Sequence, residues 1–272
     1  MAPNSSKGPQ TLDAAAFALQ MQRPAEAEKL AAGVLRNDRG NVGAAELLGR
    51  ALLMQRRAAE AIEPLQRVAK RTSHPGLETL LAAALGAAGK RDEALAQLRA
   101  TTARRPAFPQ AFLELGNQLG KLGRLDEAVG VLEDGIALAP QMVELRVELG
   151  FISLKRNDRA RARALFEEIL KAAPGRLDAT IGLANTRTFD GNYAEAAELY
   201  RRALTQRPGD PALRNGLAVC LLELGEREAG EATLRELARS PQMASQAMLS
   251  LAGSSHGRFF LRPSAAAKFL QG

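Results

Sequence analysis

The sequence contains one cysteine, no tryptophan and few aromatic residues, which make up 4% of its 272 residues. The single cysteine, Cys220, excludes an intramolecular disulfide framework and is typical of a reducing compartment. No apolar run approaches the ~18 residues that cross a bilayer, so we expect no membrane span. The first ten residues, MAPNSSKGPQ, lack the basic start and apolar core of a secretory signal. These absences predict a cytoplasmic protein.

Residues that favour strands are also scarce. The chain is 46% hydrophobic, but this apolar content is mostly alanine and leucine, which are good helix formers. Alternating runs of β-branched and aromatic residues, typical of strands, are absent. The composition therefore predicts an all-α protein.

Acidic residues are missing from the end of the chain. The net charge is +7, and no acidic residue follows Glu236, whereas Arg239, Arg258, Arg262 and Lys268 do. The rest of the chain is nearly balanced in charge. A protein that binds a nucleic-acid backbone spreads basic residues along its binding face, so we expect no nucleic-acid partner.

A period of 34 residues runs through the sequence. Three sets of residues keep this interval: Pro106, Pro140, Pro174 and Pro208; Ala94, Ala128, Ala162 and Ala196; and Gly89, Gly123, Gly191 and Gly225, with Asn157 in the missing glycine position. This period and punctuation resemble the tetratricopeptide repeat family, in which each unit is a helix–turn–helix.

The resemblance implies an α-solenoid of antiparallel helix pairs, wound as a right-handed superhelix. We number the repeats as residues 8–41, 42–74, 75–108, 109–142, 143–176, 177–210 and 211–242. A flexible segment, 1–7, precedes them. A capping helix, 243–253, and a basic aromatic tail, 254–272, follow. The first two repeats match the pattern least well, which leaves six or seven true repeats.

Small residues occupy two fixed places in every repeat. The eighth place holds Ala15, Gly49, Ala82, Gly116, Gly150, Ala184 and Ala218, and the twentieth holds Ala27, Ala61, Ala94, Ala128, Ala162, Ala196 and Gly230. Small side chains allow helix axes to approach to ~8 Å. These places therefore predict close contacts between helices, with large side chains filling the space beside them.

The sequence offers little for catalysis. His74 lies at a repeat junction and His256 near the C-terminus, and neither has neighbours that suggest a metal site or a triad. Cys220 lies among apolar residues, which favours a buried structural thiol. No phosphate-binding loop or nucleotide fingerprint is present. We therefore expect no enzyme activity, no metal and no cofactor.

In the family, first-helix places two, five, nine, twelve and thirteen line a groove that binds partners. The resemblance assigns the following residues of repeats four to seven to this groove: Leu113, Asn117, Lys121, Glu144, Val147, Phe151, Leu154, Lys155, Asp178, Ile181, Asn185, Thr188, Phe189, Ala212, Asn215, Val219, Leu222 and Glu223. They form an apolar floor with an acidic bias. Val147, Ile181 and Val219 have the alternative role of packing between helices.

These residues predict a scaffold or adaptor that binds an apolar, partly basic helix or extended peptide of a protein partner. A second hypothesis is a regulatory or substrate-recruiting module of an enzyme system, such as a transferase. A third is a helical repeat that binds RNA, which requires base-reading side chains at matching places in every repeat. The matching places here vary from leucine to asparagine to glutamate, which disfavours it.

The tail combines aromatic and basic residues, namely Arg258, Phe259, Phe260, Arg262, Lys268 and Phe269. Ser264 is positioned to cap a short helix that ends near Gln271. One hypothesis is that residues 258–271 dock in the groove of their own chain, against the first helices of repeats six and seven, or in a second molecule. The alternatives are additional capping of the last repeat and disorder.

Overall fold

The computed structural model describes residues 7–258 and 263–271, and within them it contains sixteen α-helices and no strand. The helices are α1 (Lys7–Gln20), α2 (Pro24–Asn37), α3 (Val42–Met54), α4 (Ala58–Thr72), α5 (Pro75–Ala87), α6 (Arg91–Thr102), α7 (Pro109–Lys121), α8 (Leu125–Leu138), α9 (Val143–Lys155), α10 (Arg159–Ala172), α11 (Leu177–Phe189), α12 (Tyr193–Gln206), α13 (Pro211–Glu223), α14 (Arg227–Ala238), α15 (Pro241–Gly253) and α16 (Pro263–Gln271). Odd-numbered helices up to α13 are the first helices of the repeats. Even-numbered helices up to α14 are the second.

Short turns join the two helices of each repeat. The turn glycines Gly89, Gly123, Gly191 and Gly225 have φ between +74° and +84°, and Asn157 takes the same left-handed region at φ +63°. Glycine enters this region without the penalty that a Cβ imposes, and asparagine is one of the residues that tolerate it best. The 34-residue recurrence of these positions therefore reflects a repeated left-handed turn.

The chain divides into two compact units, Met1–Glu148 and Leu149–Gly272, with the division inside α9. In unit 1, each helix from α1 to α7 packs against the next, and α7 packs against α8. The first helices α1, α3, α5 and α7 also contact one another in order. The second helices are less closely packed on one another than the first helices are, although Arg99 of α6 pairs with Glu127 of α8 at 3.2 Å.

The small residues at the eighth and twentieth places are all buried. A Cβ atom on Gly116 would lie 2.6 Å from the side chain of Leu132, and one on Gly150 would lie 2.6 Å from Phe166. These distances are too short for any real contact, so the large side chain occupies the space that the glycine leaves. The predicted close packing between the two helices of a repeat is confirmed.

Polar contacts join the start of the first helix to the second-helix side in two of the repeats. Glu78 of α5 is buried and pairs with Arg104 at 2.6 Å, and the hydroxyl of Thr101 donates to it at 3.2 Å. Thr180 of α11 is also buried and accepts a hydrogen bond from Arg202 at 3.0 Å. Each contact joins the first helix of a repeat to the second, as a packed aromatic ring would.

The C-terminal end of unit 2 is covered by two helices. Helix α15 begins at Pro241, two residues before the predicted start, and packs on α13 and α14. Helix α16 packs on α14 and α15, where Leu270 is buried. Ser264 lies inside α16 rather than at its cap. The described part of the tail thus covers the last repeat, and docking in the chain's own groove was the wrong hypothesis.

Candidate protein-interaction surface

In unit 1, the predicted groove positions carry mostly polar side chains. Asn117 is half-buried, and its amide lies 3.5 Å from Glu148 Oε1. Burial raises the pKa of the neighbouring Glu114 carboxyl, although a hydrogen bond from Gln118 at 2.7 Å opposes this shift. The other predicted positions divide by exposure: Leu113 is half-buried, Lys121 and Glu144 are exposed, and Val147 is buried. Val147 is therefore a packing residue.

In the α9 segment of unit 2, Phe151 is half-buried and its ring packs edge-on against Phe166, with 5.2 Å between the ring centroids. This contact holds the Phe151 ring in place and buries part of its surface against α10, so only the rest of the ring is available to a partner. Leu154 is also half-buried, and Lys155 is exposed. The segment thus presents apolar surface with a cationic side chain at its end.

Helix α11 contributes the most exposed aromatic ring of the described residues. Phe189 is 61% exposed at the end of the helix, and Ile181 is half-buried. The Asn185 Oδ1 atom accepts a hydrogen bond from the hydroxyl of Tyr200 at 2.7 Å. Asp178 forms an ion pair with Arg176 at 2.9 Å, so the acidic bias predicted for the groove is partly neutralised.

Helix α13 places a second asparagine beside this surface. Asn215 Oδ1 accepts a hydrogen bond from Ser250 of α15 at 2.8 Å, and Val219 is half-buried. Glu223 accepts a hydrogen bond from the backbone N–H of Ser255 at 2.9 Å. Leu222 is fully buried in the core that joins α13, α14 and α15, so its assignment to the groove is wrong.

Leu249 of α15 is 69% exposed and was not among the predicted groove residues. Counted from Pro241 as the first place, Leu249 is the ninth residue of its helix, as Asn185 and Val219 are of theirs. Helices α11, α13 and α15 contact one another in order, so residues at the same place lie on the same side. Numbering α15 as a first helix would have found it.

We call the resulting surface the first-helix face of unit 2. Its residues are Ile181, Asn185, Phe189, Asn215, Val219 and Leu249. Its centre is half-buried, and the two large apolar side chains near its ends, Phe189 and Leu249, are exposed by more than half. Such a surface can bury apolar side chains of a partner while the asparagine amides form hydrogen bonds.

The described residues of the tail belong to the cap. The guanidinium groups of Arg235 and Arg258 both contact the Phe269 ring, at 4.4 Å and 4.7 Å from its centroid. Lys268 is exposed. The predicted tail residues Phe259, Phe260 and Arg262 lie outside the described residues.

Residues with catalytic potential are used structurally. Cys220 is fully buried, and burial raises the pKa of its thiol. Burial also raises the pKa of Tyr200 to about 12. His74 precedes α5 and lies 3.9 Å from Glu46, and the His256 Nδ1 atom lies 3.1 Å from the carbonyl of Leu222. Among the described residues, no group of three His, Cys, Asp or Glu side chains converges as metal ligands.

No helix within residues 7–258 and 263–271 combines the length and hydropathy needed to cross a bilayer.

The fold resembles several solved structures. Pseudomonas aeruginosa PilF is 18% identical, with a TM-score of 0.61, and the match covers 75% of this chain and 95% of PilF. Human IFIT1, solved as a dimer with m7Gppp-AAAA, is 15% identical, with a TM-score of 0.71 over 85% of this chain and 59% of IFIT1. The APC/C hetero-tetramer Cut9–Hcn1 is 18% identical, with a TM-score of 0.64 over 90% of this chain and 56% of the matched chain. At these identities the likeness supports the fold alone.

Sequence comparison gives a direct assignment. No curated protein sequence matches the chain significantly. One tetratricopeptide repeat model matches residues 12–76, 79–143 and 153–211, and a second matches residues 119–179 and 190–252. These matches cover most of the helix pairs described above, including α15. The chain belongs to the tetratricopeptide repeat family.

Proposed function

We propose that the protein is an interaction scaffold whose first-helix face of unit 2 binds an apolar helix or extended peptide of a partner protein. The observation that carries this proposal is the exposure of Phe189 and Leu249, at 61% and 69%, beside the half-buried Ile181 and Val219. Large apolar side chains that are exposed on successive helices of one array are typical of a surface that a partner covers.

The two asparagines add directional contacts. Because the Oδ1 atoms of Asn185 and Asn215 accept hydrogen bonds from Tyr200 and Ser250, the amide orientations are fixed from within the unit. Each Nδ2 group remains a donor of two hydrogen bonds. Backbone carbonyls of an extended peptide, or polar side chains of a helix, are suitable acceptors.

Positive charge on the partner should contribute less to affinity than the sequence suggested. Asp178 is paired with Arg176, and one oxygen of Glu223 already accepts from the Ser255 N–H. We therefore propose an apolar segment, in which basic residues contribute little to affinity.

A peptide selection tests the proposal. A random peptide library displayed on phage is selected on the full chain, and the dissociation constants of enriched peptides are measured by fluorescence anisotropy. The double variant Phe189→Ala/Leu249→Ala should weaken binding at least tenfold, or about 1.4 kcal/mol. The matched control is Phe17→Ala/Leu138→Ala, which removes a Phe and a Leu that are 58% and 51% exposed in unit 1. Equal losses in both double variants, or none in the first, would rule out this surface.

The same proteins separate the alternative functions. An RNA-binding repeat would bind a short single-stranded RNA with an affinity that falls steeply as salt increases. A regulatory module of an enzyme would change the turnover of a constant enzyme partner in a way that depends on Phe189 and Leu249. The scaffold proposal predicts salt-insensitive peptide binding and no RNA affinity.

A further inference from the structure

A cleft of about 700 Å³ opens on the second-helix side of unit 1, between α2 and α4. Both helices pack on α3, and the contact across the cleft runs from Arg57, the residue before α4, to Glu28 of α2 at 2.7 Å. The floor is apolar: Leu48, Leu52 and Val68 are buried beneath it, and Leu35 and Pro64 are half-buried at its surface. This volume lies within the range of roughly 300–1,000 Å³ that is typical of ligand-binding clefts.

The rim of the cleft carries more positive charge than its own carboxylates neutralise. Arg57 pairs with Glu28 at 2.7 Å and with Glu60 at 2.6 Å, and Arg67 pairs with Glu63 at 2.6 Å. All three glutamates that line the cleft thus form ion pairs with only two of its arginines. These contacts raise the pKa of the Arg57 guanidinium and lower that of the Glu60 carboxyl, so both stay charged at neutral pH.

Arg36 and Arg39 line the same cleft and take part in none of these ion pairs. Both are exposed, Arg36 in the last turn of α2 and Arg39 in the connection to α3. The nearby Asp38 carboxylate accepts hydrogen bonds from the Gly40 N–H and from Asn41, each at 3.1 Å. A position near a helix C-terminus favours a cation, which explains Arg36 in part but not the second arginine beside an apolar floor.

Pro64 adds a backbone acceptor. It lies inside α4 and has no N–H, so the helical hydrogen bond to the Glu60 carbonyl is missing at the cleft. A bound segment could donate to this carbonyl.

We propose that the α2–α4 cleft is a second peptide-binding site, which takes an acidic segment with an adjacent apolar side chain. The apolar side chain rests on Leu35 and Pro64, and the carboxylate reaches the guanidinium groups of Arg36 and Arg39. Guanidinium groups bind carboxylates through paired hydrogen bonds, which gives direction as well as charge. The site lies in unit 1 and does not depend on the first-helix face of unit 2.

The test is a second selection of random peptides on phage, with counter-selection on the Arg36→Ala/Arg39→Ala variant. Enriched peptides should carry Asp or Glu beside Leu, Ile or Met. Their affinity should fall at least tenfold in that variant, or about 1.4 kcal/mol, and should fall with salt. Because both arginines are exposed, the variant should keep its helical circular dichroism spectrum and melting temperature. The control is Lys70→Ala/Arg71→Ala, which removes two exposed charges of the same helix pair outside the cleft.

Each outcome decides the proposal. Loss of affinity in Arg36→Ala/Arg39→Ala, with retention in Lys70→Ala/Arg71→Ala and in Phe189→Ala/Leu249→Ala, supports it. Equal losses in both charge variants indicate a net-charge effect and overturn it. If replacing the apolar residue of the peptide with alanine changes nothing, or if inorganic phosphate competes as well as the peptide, the cleft is an anion site only. Failure to enrich any acidic peptide also overturns it. None of these results bears on the first-helix face of unit 2.

Discussion

The Nε atom of Arg258 lies 2.6 Å from Oε1 of Glu231, which joins the segment after α15 to the buried face of α14. Glu231 also pairs with Arg227 at 2.9 Å and with Arg235 at 3.4 Å. Arg258 and Arg235 in turn contact the Phe269 ring of α16. One buried carboxylate therefore organises the contacts that hold the C-terminal cap.

Removing the charge of Glu231 should loosen this cap. In Glu231→Gln, three arginines lose the negative charge that they share, so amide hydrogen exchange should become faster in α16 and change little in α11. Hydrogen–deuterium exchange with mass spectrometry measures this directly. The control is Glu228→Gln, an exposed residue of the same helix. Unchanged protection of α16 in Glu231→Gln would show that apolar contacts alone hold the cap.

The cap should also respond to acid. Burial alone would raise the pKa of Glu231, but hydrogen bonds from Arg258 and Arg227 lower it below its ordinary value of 4.5. A carboxyl with a lowered folded-state pKa stabilises the fold above its unfolded pKa, and this contribution is lost as the pH falls through the lowered value. Protection of α16 should therefore decrease below pH 4.5 in the wild type. In Glu231→Gln it should not change over the same range.

The two glycines Gly116 and Gly130 should respond in opposite ways to substitution by alanine. Gly116→Ala forces a Cβ to 2.6 Å from Leu132, and such overpacking costs about 1–3 kcal/mol. Gly130 is exposed in α8 with open space around it, so Gly130→Ala should stabilise by roughly 0.5–1 kcal/mol. Chemical denaturation of both variants checks the prediction. A stable Gly116→Ala protein would mean that α7 and α8 are not in close contact there.

The ion pair of Glu78 should contribute measurably to stability. Its side chain is 8% exposed and holds both Arg104 and Thr101. Glu78→Ala removes the buried carboxylate that joins these partners to α5, although the Ser73 and Gln97 carbonyls still accept from them. The free energy of unfolding should therefore fall by about 1–3 kcal/mol. Glu93→Ala, which breaks the exposed pair with Lys90, should change it by less than about 0.5 kcal/mol. Similar values for the two variants would contradict a structural role for Glu78.

Cys220 is a labelling site that reports local unfolding of unit 2. Because the thiol is fully buried and burial raises its pKa, iodoacetamide should react with the native protein much more slowly than with the unfolded chain. The chain has no other cysteine, so the labelling rate, followed by mass spectrometry, reports this site alone. Rapid labelling in native buffer would show that α13 is open to solvent at Cys220.

The 34-residue period was sufficient to predict the packing between helices. Small residues recur at the places of Gly116 and Ala128 because each repeat brings its two helices together in the same way. The same steric requirement is therefore visible in every repeat. The left-handed turn residues, Gly123 among them, follow from the same geometry. Local contacts and turns that recur in every repeat are the features of the fold that a single sequence predicts best.

The 34-residue period ends between α13 and α15, and the prediction of helix starts and exposed residues is less accurate from there on. Pro211 begins α13 and Pro241 begins α15, and 30 residues separate these two starts instead of 34. Helix α14 is shorter than α12, so α15 starts early and Leu249 falls out of the numbering. Burial of Leu222 also escaped prediction, because it depends on the contacts that α15 makes with α13.

The α2–α4 cleft could not be predicted from the period either. The free positive charge of the cleft depends on which arginines pair with its three glutamates. The pairing of Arg57 with both Glu28 and Glu60 is a tertiary contact. Sequence alone shows a balanced set of charges there. The structure is needed to show that Arg36 and Arg39 are left over from these pairs.

Photo-crosslinking tests the central claim, that the first-helix face of unit 2 binds a partner segment, most directly. Benzoylphenylalanine replaces Leu249, which is exposed on this face, or Leu138, which is exposed in unit 1. Each protein is irradiated with a peptide selected on the wild-type chain, and the products are mapped by mass spectrometry. The account predicts a crosslink from position 249 that an excess of unlabelled peptide suppresses, and none from position 138. A suppressible crosslink from position 138, with none from position 249, would contradict it.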